Sequence, residues 1–465
     1  MARTKRSKPK SSNPSQALPV SVPKNDLSFL ERTADRLLVM MKSFAPLFNV
    51  YAEAGSANAA DYLKGLMGKL PGKNMERMAD VIDKAKQQNL QQFISDSPWS
   101  SREVWDAIAS RVNARLSGHR DSMLVIDESC ESKQGKCSAG VARQHNGRLG
   151  KIDNCQVGVY SALVCGVRSS LVGARLFLPD EWTDSQERCE KAGIPEAEIK
   201  PRSKIDLARE LIAQAVEQGL SFRLISFDSF YGRDQGLLMD IVKQGFTYVA
   251  DIPTSTLVWS KKPKGKERPK SLSEAGAQRV DVIKHPVARS VHVRPSENGP
   301  VRVKASAQRV WTWPTAAAES IEQWLLVTEQ TDGTMKYSLS NAPSDTRLEV
   351  LVRWQGQRFF IEQTFKNAKS HVGMGDYQVR KYVGWEHHMA MVGLALLFLL
   401  EERMDHAESI PLLSPSDITE IIHWHFCTQP SREAVIDQIQ QRHRRRERVS
   451  ESKHRVDRRE QRKKR

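Results

Sequence analysis

Between residues 27 and 116 apolar side chains recur every three or four positions, the interval that gathers them on one face of a helix. Four helical stretches are predicted, at 27 to about 50, 59 to 70, 74 to 89 and 101 to 116, with Pro71-Gly72 as a break. Ser101 opens the last run and Glu103 falls in its first turn, where a carboxylate suits the helix dipole. At Met123 the period changes. "MLVIDES" reads as a short buried strand ending in acids, and after a Gly/Lys-rich loop "NCQVGVYSALVCG" and "SLVGARLFLP" read as two more. A helix at about 203 to 218, the apolar strand "FRLISFDS", a helix at 232 to 244 and the strand "FTYVADI" follow. Strands alternating with helices predict an α/β core rather than a bundle.

From about 253 to 342 the pattern shortens again. The loop "SKKPKGKERPKS" precedes the alternating segments "SVHVR", "VRVKAS", "QRVWTW" and "QWLLVTEQ", which predict an antiparallel β insertion, and "TMKYSLSNAP" is read as returning the chain to the main sheet. Helical periodicity resumes at 348 to 369, and "WEHHMAMVGLALLFLLEERM" predicts a second, largely buried helix. No internal repeat is evident.

Composition narrows the class. The chain has 465 residues, 39% of them hydrophobic, enough for a large central domain with a further domain or insertion. With no apolar signal segment behind its basic N-terminus, it is expected to be soluble and intracellular. Six cysteines without C-x-x-C spacing read as reduced thiols rather than a zinc site. The net charge is +16, but residues 1–24 hold six basic and no acidic side chains, and residues 442–465 hold thirteen basic against four acidic. The body between the tails is nearly neutral, so attraction to phosphate is read into the two ends.

Asp127 and Asp228 each end an apolar strand, a position that delivers a side chain to the sheet edge with little freedom. Carboxylates on neighbouring strands, joined by one from a packed helix, suit hard divalent ions; an Asp at a strand end also serves as a turn or cap residue. The third candidate is Glu362, with Arg358 four residues before it and Lys369 seven after, a spacing that aligns all three on a helix. An ordinary surface ion pair has the same spacing.

The interval R-x3-E-x6-K with "IEQTF" around the acid resembles the Y-R-E-K signature of bacterial insertion-sequence transposases of the DDE class. The likeness extends to "LVIDES…GKCSAGVARQHNGRLGKIDNCQVGVY", "FLPDEWTDSQERCEKAGIP", "SFDSFYGRD" and "DYQVR…GWEHHMAM", across about residues 55 to 405. The resemblance implies an α/β, RNase H-like core with a β-strand insertion before the Glu helix and a helical N-terminal domain. It assigns Asp127, Asp228 and Glu362 as catalytic residues and ligands of two Mg2+ ions, with Mn2+ as a substitute, and Arg358 and Lys369 as phosphate clamps. It also implies cut-and-paste movement of an insertion sequence by hydrolysis at the element ends and strand transfer. The partner is double-stranded DNA, as inverted-repeat ends and as target, held by a homodimer in a bacterial cytoplasm near the nucleoid, with no membrane involved. The chain departs from the pattern in two places. Gln355 stands where the tyrosine is expected, and Asp127-Glu128-Ser129 replaces D-D-T, leaving Glu128 as a substitute for Asp127.

Trp324 occupies the place of a tryptophan that stacks on a flipped base in such relatives, with Trp311 and Trp313 as competitors and a core position as the other reading. Lys261, Lys262 and Lys264 belong to a basic loop that either tracks a DNA backbone or is merely solvated. Adjacent His387 and His388 do not share a helical face, and "GRLGK" lacks the P-loop pattern. The expected division is a basic tail at 1–24, a helical DNA-binding domain at 25–120, core at 121–252, insertion at 253–342, and core again at 343–408. A C-terminal helical region at 409–441 and a basic tail at 442–465 complete it. A nuclease without strand transfer, or a domesticated DNA-binding protein, is the alternative.

Overall fold

The computed structural model describes residues 27–428, apart from 51–53, 84, 148, 295–298 and 316, together with scattered positions between 433 and 451. The tail at 1–24 and nearly all of that at 442–465 lie outside the described residues. The first helices are α1 (Leu27–Phe48), α2 (Ala54–Met67), α3 (Met75–Val81), α4 (Gln87–Ser95) and α5 (Ser101–Leu116). The helix expected at 74 to 89 is interrupted, because Ile82 turns extended and forms an antiparallel bridge with Cys427. Ser100 caps α5 by accepting from the Glu103 N–H.

Strands β1 (Met123–Ser132), β2 (Ala142–Asn146), β3 (Lys151–Cys165) and β4 (Arg168–Leu176) come next, followed by the short helices α6 (Asp180–Thr183) and α7 (Gln186–Lys191). Helix α8 (Lys204–Glu217) starts at a reciprocal cap between Ser203 and Asp206. Then come β5 (Leu224–Phe227), α9 (Ser229–Gly232), α10 (Gln235–Lys243) and β6 (Thr247–Ile252). The inserted segment forms β7 (Leu257–Val258), β8 (Gln278–Arg279), β9 (Arg289–Arg294), β10 (Val301–Thr312), β11 (Ile321–Glu329) and β12 (Met335–Ser340). Helices α11 (Leu348–Gln357), α12 (Phe359–His371), α13 (Tyr382–Asp405) and α14 (Pro415–Phe426) finish the described fold.

One ten-stranded sheet runs β2-β3-β1-β5-β6-β12-β11-β10-β9, with β4 pairing β3. Within it β4-β3-β1 are antiparallel and β1-β5-β6 parallel, the order of an RNase H-like core. "TMKYSLS" does return to the main sheet as β12, antiparallel to β6, so the insertion extends the sheet instead of standing apart. Two of the expected short segments, "VRVKAS" and "QRVWTW", form the single strand β10.

The helices α1 to α5 share one continuous apolar cluster with the sheet, α13 and α14, from Phe29 to Ile422. Helix α13 is long and apolar enough to cross a membrane, yet 89% of its most apolar window is buried in this protein. Its C-terminal acids fasten the N-terminal helices: Arg36 reaches both oxygens of Glu402 at 2.6 Å, and Arg111 binds Glu401 at 2.6 and 2.9 Å. Glu402 is only 3% exposed. Arg36→Ala therefore strands a buried carboxylate and is expected to destabilise the fold by about 3 kcal/mol. Urea denaturation measures this, and a loss under about 1 kcal/mol would mean that the pair does not anchor α1.

His387 and His388 do structural work. His387 stacks on Trp99 with ring centroids 3.7 Å apart and faces the carbonyls of Ile94 and Trp99, while the Tyr62 hydroxyl and His388 Nδ1 share a hydrogen bond of 2.8 Å. Burial pushes the His388 imidazole down from 6.5 to about 3. Below pH 6.5 the unfolded chain takes up a proton that folded His388 refuses, so this residue's contribution is present above 6.5 and lost as pH falls toward 3. Denaturation at pH 7 and pH 5 should show a smaller acid-induced loss in His388→Gln than in wild type.

Candidate active site

The parallel strands set the geometry. β1 and β5 pair in register from Met123–Leu224 to Val125–Ser226, and two more residues bring Asp127 level with Asp228. β5 and β6 pair up to Phe227–Ala250, and one more residue brings Asp228 level with Asp251. Three carboxylates thus stand level just past the parallel pairing of three adjacent strands; Asp127 does not end its strand as expected, because β1 runs on to Ser132 against β3. Asp251 was missed by sequence reasoning, although "FTYVADI" carries the signal that singled out Asp127 and Asp228: an apolar strand closing on an acid.

Each acid is held differently. The Asp127 side chain is 12% exposed, and its Oδ1 accepts from the Glu128 N–H at 2.8 Å. Asp228 caps α9 with Oδ1, accepting from the N–H groups of Phe230 and Tyr231 at 2.9 and 3.2 Å. The cap and the site readings hold together, because one oxygen makes the turn and Oδ2 is left for the cleft. Glu128 pairs with Lys204 of α8 at 2.8 Å and also borders the cleft between these acids.

Glu362 comes from the first turn of α12 and is 51% exposed. The helix expected at 348 to 369 is broken at Arg358, where the ladder tightens: Arg358 N–H donates to the Gln355 carbonyl, and Ile361 N–H to that of Arg358. The break turns the guanidinium into the carboxylate group. Arg358 Nη1 lies 3.5 Å from Asp127, Nε 3.4 Å from Asp251 and Nη2 3.0 Å from Glu362. Lys369 is engaged two turns on, 2.6 Å from Glu131 Oε1 and donating to the Cys130 carbonyl.

These groups line one cleft of about 940 Å³, with Asp127, Asp228, Asp251, Arg358, Glu362 and Lys369 on its wall. Burial pushes the Asp127 carboxyl up to about 7; Arg358 opposes this, while Asp228 and Glu362 add to it. An all-oxygen set of carboxylates, one of them raised by burial and like charge, has the chemistry that hard divalent cations relieve. Among the described residues, however, no three acids, imidazoles or thiols are gathered tightly enough to hold an ion as they stand. Arg358 lies between them.

Other expectations fare differently. Gln355 does not offer its amide to the cleft, since Oε1 accepts from Thr328 at 2.9 Å and Nε2 donates to Ser338 at 2.6 Å. Trp324 is not brought to the carboxylates. It faces the α11 side of the sheet, its indole N–H donates to the Pro343 carbonyl, and Arg309 lies 5.1 Å from its ring. Strand geometry sets this, as Trp324 pairs with Ser340, at the opposite end of β12 from Lys336 in the cleft. Trp311 and Trp313 belong to a separate small cluster with Trp259. In the basic loop Lys262 lies over the Trp311 ring, while Lys261 and Lys264 are not among the cleft residues.

An RNase H-like sheet with acids level with one another where the parallel pairing of its strands ends, and a further acid on a later helix, defines a phosphoryl-transfer class of nuclease. The sequence agrees: residues 44–317 match the DDE superfamily endonucleases, and the chain belongs to that family. The match includes Asp127 and Asp228 and ends before Glu362. Over 351 residues the chain is 26% identical to a probable transposase for insertion sequence element IS701 from Microchaete diplosiphon, covering 74% of this chain and 82% of that protein.

Proposed function

We propose that this protein is an insertion-sequence transposase that cuts and joins DNA at Asp127, Asp228 and Glu362. The observation carrying this reading is the common level of Asp127 and Asp228 on adjacent parallel strands beneath the helix that bears Glu362. The three carboxylates would hold two Mg2+ ions, or Mn2+ in their place, which when bound activate the attacking oxygen and stabilise the leaving one. In the first step water attacks the scissile phosphorus, and the bond to the 3′-oxygen breaks to leave a 3′-hydroxyl and a 5′-phosphate. In the second, that 3′-hydroxyl attacks a target phosphodiester and releases a target 3′-oxygen, so bonds are exchanged without an external energy source.

Arg358 and Lys369 would turn from their present carboxylate partners to the DNA phosphates. The basic tails, the helices before residue 120 and the loop with Lys261, Lys262 and Lys264 would supply further backbone contacts, and a homodimer would hold the two ends. Incubating the protein with end-bearing DNA and Mg2+ tests this. Nicked ends and joined products are expected; cleavage without joining would favour a simple nuclease, and neither product would leave a DNA-binding protein.

A further inference from the structure

Asp251 belongs neither to the proposed triad nor to the R-x3-E-x6-K spacing, yet a relay of side-chain hydrogen bonds ends on it. The Thr328 hydroxyl on β11 donates to Gln355 Oε1, the Gln355 amide donates to Ser338 Oγ, and the Ser338 hydroxyl on β12 donates to Asp251 Oδ1. Arg358 Nε then approaches Asp251 Oδ2 at 3.4 Å. Every donor points toward Asp251, which fixes a carboxylate only 13% exposed in one orientation. The residue standing where a tyrosine is expected, Gln355, is a link in this chain. The chain also joins the inserted strands to the helix that carries Arg358.

The other face of the guanidinium touches Asp127 and Glu362, two of the three proposed ligands. Arg358 itself is 14% exposed. Asp127 and Asp251, the buried members of the cluster, need a compensating cation, and Arg358 is the cation the fold supplies. A divalent ion bound by the same oxygens would compete with it directly. An anchor outside the ligand set would keep a displaced guanidinium beside the cleft, facing the substrate, instead of letting it swing into solvent.

Resting on the metal-site reading above, we propose that Arg358 is an internal counter-ion that occupies the carboxylate cluster until a divalent cation displaces it, and that Asp251 is a positioning residue that tethers it throughout. The roles of the two residues follow from the tether. Asp251 acts only through Arg358 and touches neither ion nor phosphate.

Mn2+ binding to the DNA-free protein, followed by electron paramagnetic resonance, tests this independently of turnover. Arg358→Ala removes the competitor and should tighten Mn2+ binding about fivefold or more, because a unit charge in contact with the ligands is lost. Arg358→Gln is the second variant, should alanine impair folding. Asp251→Asn keeps the acceptor for Ser338 but weakens the tether, so Arg358 leans on Asp127 and Glu362 and Mn2+ binding should fall by about threefold. In the double variant Asp251→Asn with Arg358→Ala, binding should stay within about threefold of Arg358→Ala, the share of one lost negative charge beside the ligands. Lys336→Ala, removing another cation of the same cleft, should change binding by less than about twofold.

Unchanged or weaker binding in Arg358→Ala, with wild type binding normally, would overturn the proposal alone. A double variant weaker than Arg358→Ala by about tenfold or more would make Asp251 a ligand and overturn its positioning role. If none of the proteins binds Mn2+, the metal-site reading falls with it.

Discussion

Glu362→Gln is expected to abolish Mg2+-dependent cleavage of end-bearing DNA, by about a thousandfold or more, while the protein melts at the wild-type temperature. The two halves of that result separate a working carboxylate from a surface ion pair. Glu362 is half exposed and its recorded partner is Arg358, so an isosteric amide costs the fold almost nothing. The same substitution removes one negative charge from the cleft, which should leave DNA affinity equal or slightly higher. Loss of cleavage with retained binding thus points to the chemical step. Asp228→Asn belongs in the same assay, since asparagine keeps the cap on α9 and removes only the charge. If either variant kept more than about a tenth of wild-type cleavage, the three-carboxylate assignment would fail.

The second large effect is on the fold. Gly232 ends α9, the turn begun by Asp228, and a Cβ built there would come within 2.0 Å of the Asp251 carbonyl oxygen. Helix propensity alone would have Gly232→Ala stabilise the protein by up to about 1 kcal/mol. The contact reverses the sign, because a backbone carbonyl in a central strand cannot swing aside as a side chain can. Gly232→Ala is expected to cost about 3 kcal/mol or more, measured by chemical denaturation, and to move Asp228 away from Asp251. Gly219→Ala provides the comparison. It has φ of +68° with open space around it, so only left-handed strain applies, about 1 kcal/mol. A Gly232→Ala variant as stable as wild type would mean that α9 and β6 do not approach as closely as described.

Much of this arrangement was legible in the residues. Periodicity separated the N-terminal helices from the sheet, and apolar strands ending in acid singled out Asp127 and Asp228. Short-range signals fail where a distant partner decides. Ile82 reads as helical until Cys427 pairs with it, and residues 348 to 369 read as one helix although the chain tightens at Arg358. Glu128 and Asp127 cannot be told apart by adjacency; in the fold they take different partners, Lys204 of α8 for Glu128 and Arg358 for Asp127. Trp324 was matched by position along a strand, and only the pairing of β11 with β12 shows how far it stands from the carboxylates.

The sequence by itself determined the α/β class, the inserted strands, two of the three proposed ligands through strand pattern and the third through its interval to Arg358 and Lys369. These are local properties, carried by hydrophobic period and by residue spacing within one element. Tertiary structure alone decided that Asp251 stands level with Asp228, that Arg358 sits among the acids, and that the N-terminal helices share the core of the sheet. The physical reason is register. Which side chains meet across parallel strands depends on how far each has slid against its neighbour, and hydrogen bonds between segments far apart in sequence set that distance.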